Sequence, residues 1–167
     1  NKNAGVKNII EETGFCSGLL LNRYLQTGNE KDLEFYMEQL KGTMGYNKET
    51  YEFYKWLYEY NLQLAEEDKV TIYGIDMEHQ PLTAIRGIST LIDIKKEVPK
   101  SLEQAIRYVK KNNQNAILYL KMAYDKNKED CEEYFGDNFI IFENCIKNLY
   151  PVGTGSDMRD KVMMDNL

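Results

Sequence analysis

The run Val70-Thr71-Ile72-Tyr73-Gly74-Ile75-Asp76 constrains the fold more than any other stretch of the chain. It is short, rich in β-branched and aromatic residues, and stops on a carboxylate, as a buried strand does. A second such run, Val6-Lys7-Asn8-Ile9-Ile10, meets the turn-like Glu11-Glu12-Thr13-Gly14. These runs predict strands at about 6–11 and 70–76. What lies between them is helical. Two apolar strands joined by helices are expected to be parallel, because a parallel pair needs a long crossover. The fold class expected is therefore α/β but mostly helical, in one domain spanning 1–167.

The helices follow from apolar spacing and from the residues that interrupt it. Leu20, Leu21, Tyr24 and Leu25 form one face of a helix from Phe15 that Gly28 ends. Asn29 is placed to cap a second helix carrying Leu33, Tyr36, Met37 and Leu40. Asn47 opens a third, expected to reach about Glu67. Tyr54, Leu57, Tyr58, Asn61 and Ala65 form one stripe on it, and Phe53, Trp56, Tyr60 and Leu64 another. Apolar material on two faces predicts burial on two sides.

After Asp76 everything reads as helix, so residues 80–150 form a large helical insertion. Pro81 suits a first helical turn. Ser101 with Gln104 matches a capping box, and Phe135, Phe139, Phe142, Ile146 and Leu149 mark an amphipathic helix. Pro151 to Gly155 reads as a loop, with Ser156 as the cap of a last helix.

With 21 basic and 27 acidic residues the net charge is −6, which gives no electrostatic reason to seek nucleic acid or an anionic membrane. No apolar run approaches the ~20 residues of a membrane span. Cys16, Cys131 and Cys145 form no C-x-x-C pair and sit among apolar neighbours, so buried free thiols are expected. Free thiols favour a cytoplasmic, reducing compartment. The chain starts at Asn1 without a methionine, so an N-terminal part is expected to be missing.

Parallel strands put their carboxyl ends at one sheet edge, where ligands bind in open α/β sheets. Glu11 and Glu12 close the first strand; Asp76 closes the second, with Glu78 and His79 just beyond. Strict alternation places Glu12 on the face of Val6, Asn8 and Ile10 and Glu11 on the other. Glu12 and Asp76 are thus the expected pair, able to orient or deprotonate a catalytic group. As solvated polar ends of strands they would need no function at all. His79, the single histidine, is a candidate base or ligand by its pKa, although a solvent-exposed loop histidine is the plainer reading and metal-site spacing is absent. Arg159 falls in a first helical turn, where the helix dipole disfavours a cation, so a partner for it is expected; Asp157 and Asp160 are near enough to make it an ordinary surface arginine.

Four blocks in order resemble the erythromycin esterase-like family. They are Glu12-Thr13-Gly14-Phe15 running into Leu21-Asn22-Arg23-Tyr24-Leu25; Trp56-Leu57 with Tyr60-Asn61; Tyr73-Gly74-Ile75-Asp76; and Met158-Arg159-Asp160 with Met163 and Asn166. The resemblance implies hydrolysis of a small-molecule ester or lactone by base-activated water, without a cofactor and without a bound metal, in a setting such as bacterial macrolide resistance. It implies catalytic roles for Glu12, Asp76 and Arg159, and substrate contacts for Phe15, Trp56 and His79. The family's Gly-Glu-x-x-His-Gly-like segment should precede Val6 and its later His-Asn-x-His-like segment should follow Leu167. Neither occurs in these residues, and His79 matches neither. The chain is therefore expected to be an inactive fragment of a hydrolase. The alternatives are a non-catalytic small-molecule-binding module on the same scaffold, or a metal-dependent hydrolase using Glu12, Asp76 and His79.

Overall fold

The structure, a computed structural model, describes residues 5–149 and 156–167. Strands β1 (Asn8–Gly14) and β2 (Thr71–Asp76) form a two-stranded parallel sheet. Asn8 lies opposite Thr71 and Glu11 opposite Gly74, and the register shifts before Gly14 meets Asp76. The expected parallel pair is present, but β1 is displaced toward Gly14. The Glu11–Gly14 stretch is strand rather than turn, because its inward side chains find partners that hold the backbone extended. Tyr54 donates to Glu11 at 2.8 Å, and Thr13 pairs with the Tyr36 hydroxyl at 3.2 Å. Along β1, Ile9, Glu11 and Thr13 are half-buried, whereas Asn8, Ile10 and Glu12 are exposed. Glu12 does share a face with Ile10, and that face is the outer one.

The crossover holds α1 (Phe15–Thr27), α2 (Glu30–Gln39) and α3 (Lys48–Asn61). Helix α1 starts directly from β1 and stops at Gly28, whose φ of 67° is open to glycine and whose N–H returns to the Tyr24 carbonyl. Asn29 does not cap α2 through its side chain. It donates to Asp32 instead, at 3.1 Å. Asn47 caps α3 as expected, accepting from the Thr50 N–H at 2.7 Å. Helix α3 ends at Asn61 rather than near Glu67, because the chain tightens through Leu62–Leu64 and turns extended at Ala65. Only one of its two stripes is buried. Tyr54, Leu57 and Asn61 face inward. Phe53, Trp56 and Tyr60 stack along the outside, Trp56 on Tyr60 at 5.4 Å. Phe53 and Trp56 stay exposed there, while Tyr60 is half-buried against the neighbouring apolar cluster.

Among the described residues six helices follow β2: α4 (Pro81–Ser89), α5 (Glu103–Lys110), α6 (Asn115–Lys126), α7 (Lys128–Phe135), α8 (Phe139–Leu149) and α9 (Ser156–Asp165). Pro81 opens α4 as expected. The capping box at Ser101 does not form: the Pro99 carbonyl starts the turn by accepting from Leu102 and Glu103, and Ser101 donates to Asp130 at 2.5 Å. The aromatic series is split at Gly136, so Phe135 ends α7 while Phe139, Phe142 and Ile146 lie on α8. Phe135 and Phe142 still stack at 4.0 Å. The loop expected over 151–155 lies outside the described residues.

Helix α1 joins two apolar clusters. Leu20, Leu21, Tyr24 and Leu25 pack with α2, α3 and β2, while Cys16 packs with α4–α8. Close approach makes this joint possible. A Cβ on Gly18 would press on the Gly74 backbone, and one on Gly87 would overlap the Cys16 carbonyl. All three cysteines are buried and free. Among the described residues no helix is long and apolar enough to cross a membrane.

The edge of β2 that faces away from β1 is closed by side chains, not by another strand. Asn61 donates to the Val70 carbonyl at 2.9 Å and accepts from its N–H at 2.8 Å. Asn22 does the same to Ile72, at 2.7 and 2.9 Å. The Asn61 and Asn22 amides each imitate a neighbouring peptide group, which satisfies the backbone and blocks an open edge. Nearer the end of β2, Asn166 donates to the Ile75 carbonyl at 2.8 Å.

Candidate functional site

The carboxyl ends of both strands open into a pocket of about 490 Å³. Glu11, Glu12, Asp76 and Glu78 all line it, with Ser17, Tyr36, Tyr54, His79 and Thr83. A larger depression of about 560 Å³ lies over α2 and the start of α3, is lined by no strand residue, and its charged groups Glu34, Glu38 and Lys48 are all exposed. The strand-end pocket is the one that gathers chemistry.

Helix α9 brings Arg159 to this edge. Its Nε lies 2.9 and 3.0 Å from the two Asp76 oxygens, and its Nη2 lies 2.6 Å from Oδ2. The same Nη2 also reaches Glu12. The partner expected for Arg159 is thus this pair of strand-end acids. Among the described residues Nη1 has no hydrogen-bond partner. Burial alone would raise the Asp76 pKa, but the Arg159 bonds, the Met77 N–H and the Arg159 and His79 charges together hold it below its usual value. Arg159 is correspondingly held more firmly protonated.

Glu78 was passed over in the sequence as a mere neighbour of Asp76. It folds back over Gly14, where a Cβ would collide with its carboxylate. It accepts from Ser17 N–H at 3.1 Å and Ser17 Oγ at 3.1 Å, inside the first turn of α1. It also accepts from the N–H of Gln80, the residue before α4, at 3.3 Å. Two helix N-termini therefore converge on it. Burial pushes its pKa up to about 7, against the lowering effect of those bonds. Glu11 shifts upward for the same reason, opposed by its Tyr54 bond. The available signals were a glycine at the end of β1 and an acid two residues after Asp76; both are too common to single out.

The structure brings Glu12, Asp76, Arg159 and His79 together, with His79 Nε2 3.8 Å from Asp76 Oδ2 and its side chain largely exposed. It does not bring Phe15 or Trp56 to the pocket. Phe15 packs against the α4–α8 cluster, and Trp56 lies half-exposed on the outer face of α3. Among the described residues no three His, Cys, Asp or Glu side chains are grouped to hold a metal ion.

A two-stranded parallel sheet under helices, with an acid-lined pocket at its carboxyl edge, defines a small, mostly helical α/β scaffold. The chain belongs to the erythromycin esterase family, whose model matches residues 2–139. That match covers Glu12, Asp76 and both strands and stops short of Arg159 and Asn166, which the fold itself carries to the strand ends. Neither the curated proteins nor the solved structures contain a match to the chain.

Proposed function

We propose that the chain forms part of a hydrolase that cleaves a carboxylic ester or lactone with base-activated water. One observation supports this most: Asp76 and Glu12, two of the acids lining the strand-end pocket, hold the Arg159 guanidinium between them while its Nη1 stays unengaged among the described residues. An N–H donor held in this way suits the oxyanion that forms when hydroxide adds to a carbonyl carbon. Collapse of that adduct breaks the acyl C–O bond, and the leaving oxygen regains the proton taken from water. The family resemblance assigns that proton transfer to a histidine in a Gly-Glu-x-x-His-Gly-like segment, which these 167 residues do not contain. The chain then supplies the supporting half of the site.

The test compares these residues alone with a longer polypeptide that carries the histidine segment, on a panel of esters and lactones. The chain alone is expected to show no turnover. The longer polypeptide is expected to turn over and to lose about 100-fold in kcat on Arg159→Met, the scale of removing one oxyanion donor. Full turnover by the chain alone, or an unaffected kcat in the variant, would overturn the reading.

A further inference from the structure

A cavity of about 300 Å³ lies between α1, α2, α4 and the end of α5, and it shares no lining residue with the strand-end pocket. Helices α1 and α4 both start beside the strand ends, whereas Arg23 and Ser89 come more than two turns further along them, roughly 12 Å at 1.5 Å per residue. Four cations line this cavity, Arg23, Lys31, Arg86 and Lys110, against one acid, Asp32. In a chain of net charge −6 that is a local reversal of sign.

Asp32 is 3% exposed and already saturated. Arg23 Nε and Nη2 reach its two oxygens at 2.8 and 2.6 Å, and Asn29 donates to it at 3.1 Å. It balances Arg23 and leaves the other three cations. Arg86 Nη1 lies 3.9 Å from Asp32, beyond hydrogen-bonding range, and turns to the Lys31 carbonyl at 3.4 Å. The Arg86 guanidinium rests over the Phe35 ring at 3.9 Å. Among the described residues its Nε and Nη2, and the ammonium groups of Lys31 and Lys110, have no hydrogen-bond or ion-pair partner. Nε and Nη2 form the adjacent pair of donors that holds two oxygens of one oxyanion, and a guanidinium already fixed by a ring and a carbonyl loses little freedom in doing so.

Asn112 narrows the choice of oxyanion. It takes a positive φ of 49° just after α5, where its N–H and that of Asn113 return to the Val109 and Tyr108 carbonyls and close the helix. That turn sets Asn112 in the cavity wall, with its Oδ1 buried and unpartnered among the described residues. Buried polar atoms are almost always bonded, so this acceptor marks the place of an O–H or N–H on a ligand. Sulfate and carboxylate offer none near neutral pH, whereas a singly protonated phosphate does.

We propose that this cavity binds a small phosphate monoester, independently of the hydrolase reading above. Arg86 holds two phosphate oxygens, Lys31 and Lys110 add positive charge, and Asn112 accepts from a protonated oxygen or a neighbouring hydroxyl. A concave site on an acidic chain suits a small soluble ester, not an anionic membrane or a nucleic acid.

Calorimetry on the 167-residue chain at pH 7 and low salt tests this, with glycerol 3-phosphate, inorganic phosphate and sulfate as probes and glycerol as the blank. Glycerol 3-phosphate is expected to bind at millimolar concentration or below, and sulfate about tenfold more weakly than inorganic phosphate. Arg86→Gln should weaken phosphate binding about tenfold. Lys31→Gln and Lys110→Gln should each weaken it about threefold, and as exposed side chains both leave the fold intact. Asn112→Gly keeps the positive φ and should bring phosphate down to the affinity of sulfate. Lys100→Gln, an exposed lysine outside the cavity, should change nothing. No binding of glycerol 3-phosphate at millimolar concentration, sulfate bound as tightly as phosphate, unchanged affinity in the Arg86 and both lysine variants, or an equal loss in Lys100→Gln would each overturn the proposal. Sedimentation with phosphatidylcholine vesicles containing phosphatidic acid, without binding of the free ester, would assign the cations to a lipid surface and overturn it too.

Discussion

Asp76 and Glu12 grip the same guanidinium but should differ greatly in what they contribute. Asp76 is 4% exposed and gives both its oxygens to Arg159, while the Glu12 side chain is 63% exposed and touches only Nη2. Asp76→Asn keeps an oxygen for the Met77 N–H, removes the charge, and turns an amide NH₂ toward the guanidinium. Bonds between charged groups contribute about 1.5–3 kcal/mol each when dry. The Arg159 side chain is 39% exposed, so water replaces part of what is lost. The expected cost is about 2 kcal/mol for Asp76→Asn, against about 0.5 kcal/mol or less for Glu12→Gln.

That cost should fall on α9 alone. From Arg159 to Asp165 no residue is buried, so the helix is held by its polar contacts: Arg159 at one end, and Asn166 on Ile75 and Asn148 at the other. About 2 kcal/mol corresponds to roughly 30-fold in the docking equilibrium. Amide exchange over 160–166 should therefore quicken roughly 30-fold in Asp76→Asn and about twofold in Glu12→Gln, with α5–α8 unchanged. Trypsin cleavage after Lys161 should follow the same order. Equal effects of the two substitutions, or faster exchange spread evenly over the chain, would refute the reasoning.

Two further outcomes follow from burial. The Glu78 pKa is raised from 4.5 to about 7 on folding, so its contribution is complete below pH 4.5 and is lost as the pH rises through about 7; Glu11 shifts in the same direction. Asp76 shifts the opposite way, adding stability that is complete above its ordinary 3.8 and is lost as the pH falls through its lowered folded value. Stability to urea should therefore peak at about pH 4 and fall by up to about 3 kcal/mol toward neutrality, and Glu78→Gln should flatten that fall; an unaltered slope in the variant would count against the burial argument. Asn61→Leu leaves the Val70 N–H and C=O without partners in a site where Asn61 is 2% exposed, and should cost about 2–4 kcal/mol in thermal unfolding, whereas a loss under 1 kcal/mol would show the edge to be hydrated instead.

Both strands and their parallel pairing were legible in the sequence, because β-branched runs separated by helical periodicity leave few other arrangements. So was the gathering of Glu12 and Asp76 at one edge. The end of β1 was not, since Glu11-Glu12-Thr13-Gly14 has turn composition and becomes strand where it pairs with β2 and meets the Tyr36 and Tyr54 hydroxyls of α2 and α3. The second stripe of α3 misled for a related reason: helical spacing shows which residues share a face, not whether another element covers it. Glu78 was hidden because its role depends on Gly14 and Ser17, some sixty residues away, leaving room and N–H groups for it.

The residues that carry the family resemblance divide into two sets once they are placed in space. Glu12, Asp76 and Arg159 meet at the strand ends, where the two acids line the pocket and hold the guanidinium. Asn22, Asn61 and Asn166 belong to the same blocks but serve the backbone of β2, the first two along its edge away from β1. Each asparagine comes from a different helix or helix end, so the three also fix how α1, α3 and α9 sit on the strand. That arrangement explains how a sheet of only two strands can hold a defined site. The strand carrying Asp76 is bonded on one side by β1 and on the other by amides, and it cannot slide in register without breaking both. The position of Asp76, and through it of Arg159, is therefore set by polar contacts to the backbone as much as by the apolar core beneath it.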